Sequence, residues 1–344
     1  MTRDFTAQAL PDLHADPFRE RSSRSVRGPL SILGGRFRFE SNSRELLRVV
    51  DSAYAGLPGQ VLSKVEPQLQ VGLILTADTA GHQSAQPPVL STISGAGFLA
   101  GTASSSSFVA VSAQNKSALV AVSPRMLRFP YHTRYELLEF AVFTLAARVQ
   151  GLVPLHAACI GREGRGVLLM GPSTAGKSTV ALQCLFAGFE FLSEDSVFVA
   201  PETMLATGVA NFLHVRADSL RWLERKRDID RIRRSPVIRR RSGVRKFEMD
   251  LRRGGFQLAA APLNICALVF LSAQSADGRP LLQPLPQREV RARLLTAQAY
   301  AANLPQWSRF MRGVAGFEAF ELRRGAHPLE SVETLDRLLR FGTR

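Results

Sequence analysis

The chain has 344 residues, of which 45% are hydrophobic, and a formal net charge of +15. A length of this order suggests two domains, and the apolar fraction is enough for ordinary globular cores. The charge implies an acidic partner or an anionic ligand surface, although arginine is spread along much of the chain. Cys159, Cys184 and Cys266 lie far apart in apolar stretches with no C-x-x-C pair, so reduced core thiols are expected rather than a metal or disulfide framework. The N-terminus carries Asp4, Asp12 and Asp16 and no apolar run, which does not read as a secretory signal. No stretch approaches the roughly 18 uninterrupted apolar residues of a membrane span. A cytoplasmic protein without membrane contact is the expectation.

In chain order, residues 1–28 are polar and arginine-rich and read as a loose leader. Phe37 to Glu40 alternates as a strand does. From Ser43 to Tyr54, Leu46, Leu47, Val50 and Ala53 share one helical face. Val71 to Leu75, Phe108 to Val111 and Ala118 to Val122 read as strands, and 76–88, with the lone His82, as a loop. A second domain is expected from about 130, opening with a helix over Tyr135 to Val149. Gly151 to Ile160 reads as one strand containing His156, and the glycines at 161, 164 and 166 as a hairpin turn. Gly188 is a helix stop, followed by strands over Phe189 to Leu192 and Val197 to Ala200. The basic run 221–253 begins as a solvated helix with internal ion pairs and continues as a mobile loop over 234–246. Leu263 to Leu271 is a strand and 274–287 a loop. Val290 to Leu304 and Leu329 to Phe341 are helices.

The stretch from Gly166 to Thr179 organises the rest. It reads as a strand (Val167 to Met170), a tight loop and a helix from about Lys177 to Phe186. The loop residues Gly171, Pro172, Ser173, Thr174, Ala175, Gly176, Lys177 and Ser178 match G-x-x-x-x-G-K-[ST]. The glycines allow backbone conformations in which successive N–H groups turn onto a phosphate. The helix that follows, with Thr179 in its first turn, points its positive end to the same place. Lys177 adds a flexible charge for the outer phosphates, and the Ser178 hydroxyl is placed to hold Mg²⁺. Nucleotide binding is therefore the expectation, with the nucleotide undecided by the loop.

Glu194 and Asp195 fall in the turn between two strands, where carboxylates gather near a phosphate crevice. One could hold Mg²⁺ and the other take a proton from an attacking hydroxyl, whereas a Glu-Asp pair in a turn is otherwise ordinary solvated surface. A histidine in an apolar strand is ordinarily a satisfied core residue. His156 could instead meet the γ-phosphate or orient the carboxylates.

Over about 155–200, these residues together resemble the catalytic domain of HPr kinase/phosphorylase. Leu155-His156-Ala157, the glycine loop, Gly188-Phe189 and Glu194-Asp195 carry the likeness. The Leu-His-Ala-Ala run is most similar to HPr-kinase-like kinases found beside peptide-modification systems. The resemblance implies an α/β chain. A P-loop kinase domain of phosphoenolpyruvate-carboxykinase-like fold would cover 131–344, preceded by a smaller α+β domain over 29–130. It implies ATP- and Mg²⁺-dependent phosphorylation of a serine on a protein or peptide, and a homo-oligomer. Lys177 would then bind phosphates, Ser178 and Glu194 the Mg²⁺, Asp195 would accept the proton, and His156 falls on the family's active-site histidine. The family's first aspartate is Glu194 here, and its E-[IV]-R-G segment corresponds to His214-Val215-Arg216-Ala217. Arg216, Arg245 and Lys246 are candidate phosphate contacts. Two other readings stay open: a nucleotide-binding regulatory protein with degraded catalysis, favoured by His214, and a basic nucleic-acid-binding NTPase. The last has little support, because the basic run lacks interleaved aromatics apart from Trp222 and Phe247.

Overall fold

The computed structural model describes residues 24–77, 86–95, 97–104, 106–172 and 175–342. His82 and most of the expected leader lie outside the described residues. The chain folds as a mixed α/β structure with several mixed sheets.

The first sheet is built from β1 (Ser25–Ile32), β2 (Gly35–Ser41), α1 (Arg44–Tyr54), β3 (Gln68–Leu75), β4 (Ser91–Gly95), β5 (Phe98–Ser104), β6 (Ser107–Ser112) and β7 (Ser117–Val122). Its seven strands run in the order β1-β2-β3-β7-β6-β5-β4. β2, β3 and β7 are parallel, and β4 to β7 form an antiparallel meander. In β2, Phe37 and Phe39 are buried while Arg36 and Arg38 are exposed, as expected of a strand covered on one face. Two short helices follow, α2 (Pro124–Leu127) and α3 (Pro130–His132). A π-helical turn (Thr133–Leu138) then leads into α4 (Glu139–Gln150). Leu137, Ala141 and Leu145 pack in one core with Val71, Val109 and Val120, so the helix expected to open the second domain lies on the first sheet.

The second sheet uses β8 (Val153–Leu155), β9 (Ala158–Arg162), β10 (Arg165–Met170), then after α5 (Lys177–Phe186) β11 (Glu190–Ser193), β12 (Val197–Ala200) and β13 (Leu205–Gly208). β14 (Phe212–Val215) leaves this sheet. A 3₁₀ turn (Ala217–Trp222), α6 (Lys226–Arg233), β15 (Val237–Arg239) and β16 (Arg245–Asp250) come next. The chain returns as β17 (Leu263–Ser275), β18 (Leu282–Pro284), α7 (Gln287–Ala297), α8 (Ala299–Ala302), α9 (Trp307–Val314), β19 (Glu318–Arg324) and α10 (Pro328–Phe341). The strand order is β11-β9-β10-β17-β13-β12-β8, with β19 beside β17 and β18 beside β19. One face of this sheet packs with α5 and α10, the other with α7 and α9. β14, β16 and β15 form a separate three-stranded sheet. Cys159, Cys184 and Cys266 are free, as the sequence suggests. No helix among the described residues is long and apolar enough to cross a membrane.

Four readings are corrected. The run 151–160 is two strands: β8 pairs with β12 and β9 with β10 and β11, and His156 sits in the bend between them. The helix expected over 290–304 starts at Gln287 and breaks at Gln298. The two breaks meet at one side chain. Gln298 Oε1 accepts from the His156 N–H at 2.8 Å, and its Nε2 donates to the His156 carbonyl at 3.2 Å. The expected mobile loop over 234–246 contains β15 and the start of β16. The loop over 274–287 contains the end of β17 and β18.

Leu145 is wholly buried between α4 and the first sheet. Leu145→Ala is expected to destabilise the protein by about 2–5 kcal/mol in urea denaturation. A loss below ~1 kcal/mol would mean that α4 does not share this core.

Candidate functional site

β10 runs into the glycine loop from the centre of the second sheet, and α5 leaves it. Ser173 and Thr174 lie outside the described residues; Gly171, Pro172, Ala175, Gly176, Lys177, Ser178 and Thr179 can be placed. Gly171 has φ 151° and a Cβ there would lie 3.0 Å from the Leu271 carbonyl oxygen. Gly176, at φ 103°, precedes α5 without giving it a side-chain cap. The first-turn N–H groups of α5 therefore lack a side-chain oxygen from Gly176, which is the arrangement that accepts an anion.

His156 bridges Lys177 and Asp195. Lys177 Nζ lies 2.9 Å from His156 Nε2, and His156 Nδ1 lies 3.1 Å from Asp195 Oδ1. An ammonium can only donate, so Nε2 is assigned as the acceptor and Nδ1 as the protonated nitrogen donating to Asp195. Burial lowers the Lys177 pKa, against the raising effect of Asp195 and Glu194. Burial pushes the Asp195 carboxyl up, but the hydrogen bond from His156 and the charges of Arg240 and Lys177 outweigh it. Asp195 is held well below the usual carboxylate range.

Glu194 points the other way. Ser178 Oγ donates to its Oε1 at 2.6 Å, and the His214 backbone N–H donates to its Oε2 at 3.0 Å. The His214 ring lies between two carboxylates, with Nδ1 3.6 Å from Glu194 and Nε2 3.1 Å from Glu248. Burial alone would lower the His214 pKa; the two carboxylates raise it above the ordinary value. Glu248 faces His214 directly across the β14–β16 pair. Arg134 donates to Glu248 through both terminal nitrogens, at 3.1 and 2.5 Å, and its Nε lies 3.4 Å from Glu139. Tyr131 stacks on Tyr135 at 5.4 Å and meets His214 edge-on at 5.7 Å. The Tyr135 hydroxyl donates to Asp195 Oδ2 at 3.5 Å.

The expected phosphate-contacting cations divide. Lys246 has its charge near Glu194 and Asp195, which oppose the lowering of its pKa by burial. Arg216 is exposed and pairs with Asp218 at 3.2 Å. Arg245 is exposed and, as Lys246's neighbour on the strand, faces the opposite side. The arginine at the site is instead Arg240, 3.8 Å from Asp195 Oδ2. Its Nε and Nη2 are buried without a hydrogen-bond partner among the described residues. The sequence reading also missed Arg134, Tyr135, Glu248 and Gln298. The available signal for Glu248 was a carboxylate alternating with apolar residues on a strand among cations; for Gln298 there was none.

Among the described residues no group of three or more metal-ligating side chains occurs. No family model matches the chain, and no curated protein is similar to it. Among solved structures, the HPr(Ser) kinase/phosphatase from Coxiella burnetii is similar at a TM-score of 0.27 and 12% identity, over 54% of this chain and 90% of that one. A likeness of that score is too distant to assign either fold or activity.

Glu248 is 9% exposed and its pKa is brought down to about 2: burial opposes the shift, and His214 and Arg134 outweigh it. A depressed carboxylate stabilises the fold above its unfolded pKa, near 4.3, and that stability is lost as pH falls through the folded value. The shift corresponds to about 3 kcal/mol. Wild type should lose this contribution between about pH 5 and pH 2. Glu248→Gln should be less stable at neutral pH and should lack that part of the acid dependence in urea titrations. Parallel acid profiles for the two proteins would remove the buried Arg134–Glu248–His214 chain from the account.

Proposed function

We propose that the chain is an ATP-dependent serine kinase that transfers the γ-phosphate to a hydroxyl on a protein or peptide, using Mg²⁺. The observation carrying this reading is the Lys177–His156–Asp195 bridge at the mouth of the glycine loop. It joins a phosphate-binding cation to a carboxylate that can receive a proton. A kinase domain of phosphoenolpyruvate-carboxykinase-like fold, built on the second sheet from β8 onward rather than from residue 131, is part of the same proposal.

The residues present fit Mg²⁺. Ser178 Oγ and Glu194 Oε1 are hard oxygen donors 2.6 Å apart beside the loop. Magnesium in nucleotide sites is commonly held by one or two protein oxygens plus phosphates, so the lack of a larger ligand cluster among the described residues is consistent. When bound there, the ion would neutralise charge on the transferring phosphates.

In the reaction, the acceptor serine hydroxyl gives its proton to Asp195 as its oxygen bonds to the γ-phosphorus. The bond from that phosphorus to the ADP oxygen breaks. Lys177 and the unsatisfied N–H groups of Arg240 offset the charge on the phosphoryl oxygens. Before ATP enters, the His156 hydrogen bond, helped by the charges of Arg240 and Lys177, holds Asp195 at low basicity. A triphosphate draws their charge to itself, so Asp195 becomes a better base when there is phosphate to transfer. His156 keeps Asp195 oriented through Nδ1.

A second reading, a nucleotide-binding regulatory protein without transfer, is favoured by one observation. The His214 ring, whose pKa Glu194 and Glu248 raise against burial, lies 3.6 Å from Glu194 and competes for the carboxylate that would serve the metal.

Incubation of the protein with γ-labelled ATP, Mg²⁺ and serine-containing peptides separates the readings. Lys177→Ala should abolish ATP binding. Asp195→Asn should keep ATP binding and lower transfer by about 10²–10⁴-fold. Normal transfer by Asp195→Asn would refute the base assignment, and tight ATP binding with no labelled acceptor would favour the regulatory reading.

A further inference from the structure

Two pairs of consecutive residues meet at the site. Tyr135 and Arg240 both approach Asp195 Oδ2, the tyrosine hydroxyl at 3.5 Å and Arg240 Nη2 at 3.8 Å. Their chain neighbours, Glu136 and Arg241, pair with each other. Arg241 Nε donates to Glu136 Oε1 at 2.6 Å, and Nη2 donates to Oε2. The same guanidinium donates to the carbonyls of Pro87, at 3.1 Å, and Pro88. Glu136 lies on the π-helical turn packed on the first sheet, and the two prolines precede β4 of that sheet.

Arg240 has little of its own to hold it. At 3.8 Å its contact with Asp195 is longer than a hydrogen bond, and its Nε and Nη2 are buried without a partner among the described residues. A long side chain in that state gives up rotamer freedom whenever it must keep one geometry. Its backbone, by contrast, is fixed. The Arg240 N–H donates to the Val244 carbonyl at 2.9 Å, and the Gly243 N–H donates to the Arg240 carbonyl at 2.9 Å. These bonds close a tight hairpin loop over 241–243, with Gly243 at φ 81°. Arg241 opens that loop and ties it to the first sheet's side. A forked arginine–carboxylate pair fixes orientation as well as distance.

We propose that the Arg241–Glu136 pair is a latch that sets the Arg240 guanidinium on the transferring phosphate. Arg241 and Glu136 are then positioning residues, and the phosphate rests on the kinase reading above. With the latch closed, the unpartnered N–H groups of Arg240 stand beside Asp195 before the ligand arrives. Donors placed in advance need no reorganisation when charge develops on the phosphoryl oxygens. The latch also joins the hairpin tip to the π-helical turn, so the two groups that approach Asp195 Oδ2 keep one spacing.

Calorimetric binding of ATP and of ADP to the full chain, with Mg²⁺ present, tests the latch without turnover. The two ligands differ by the γ-phosphate, so a donor on it shows as a preference for ATP. Arg240→Gln should lower that preference about tenfold, the order of one charge-assisted hydrogen bond. Arg241→Gln and Glu136→Gln should each lower it by about three- to tenfold. Arg241→Lys keeps the charge but lacks the fork that spans Glu136 and two carbonyls, and should fall between wild type and Arg241→Gln. In an Arg240→Gln background, Arg241→Gln should have no further effect, because it acts through Arg240. Arg239→Gln, which removes the same charge from the exposed residue on the other side of Arg240, should leave the preference intact. A variant that merely unfolds loses ATP and ADP binding together, so a folding defect does not imitate the result. Additive losses from Arg240→Gln and Arg241→Gln would overturn the proposal, as would equal effects of Arg239→Gln and Arg241→Gln. Transfer from γ-labelled ATP is read separately. A latch that behaves as expected with no labelled acceptor stands while the kinase reading falls. Transfer and ATP preference both untouched by Arg241→Gln do the reverse. If neither nucleotide binds, both fall.

Discussion

A carboxylate removed from water is stable only where donors and cations replace the water it has lost. Glu194, Glu248 and Glu139 are all buried, and the site is built around meeting that demand. Arg134 serves Glu248 with two hydrogen bonds, and His214 serves Glu248 and Glu194 from its two ring nitrogens. Asn211 donates to Glu139 at 3.1 Å. The chain of charges starts on the π-helical turn that packs on the first sheet and ends on the helix of the glycine loop. Its geometry holds the parts in register: moving either sheet would strand a buried charge. Such pairs add little net stability when compared with apolar replacements, but removing one partner is costly. Their value here is in fixing where Glu194 points.

The π-helical turn matters for the same reason. A wider turn changes which residues face which way, and such turns often mark functional sites. Here Arg134 is directed into the buried network while Tyr135, its neighbour, reaches Asp195 and stacks on Tyr131. Both arms of the site thus receive a contact from a segment whose apolar residues are anchored in the first core.

The parts legible in the sequence are those whose meaning is local. The glycine loop, its strand and its helix were readable because residue types and spacing within one segment define them. The start and end of α5 fall where expected. His156, Lys177 and Asp195 were singled out separately, and the structure brings their side chains into one bridge. What was not legible depends on distant partners. The break at His156 is where Gln298 hydrogen-bonds the backbone from a distant helix end, and an apolar run gives no sign of that partner. The β15–β16 hairpin was hidden because its solvent-facing positions are arginines, which read as an unstructured basic run although Ile238 and Met249 are buried. Arg240 could not be told from Arg245 by sequence, since only the pleat and the turn decide which one faces Asp195.

Glu194 and Asp195 are adjacent in the chain, yet their surroundings make them chemically different. They sit in the bend just after β11, which turns the two side chains to opposite sides. Glu194 therefore enters the buried network with Ser178 and His214, and Asp195 enters the more open side with His156, Lys177 and Arg240. Glu194 has only fixed neighbours, so its charge and orientation are set by the fold. Asp195 is 23% exposed, and a ligand's charge can redistribute the cations around it. One carboxylate suits holding something in place, and the other suits a change of protonation during a reaction. Here the separation follows from a bend placed between a buried histidine on one side and a bridged lysine on the other.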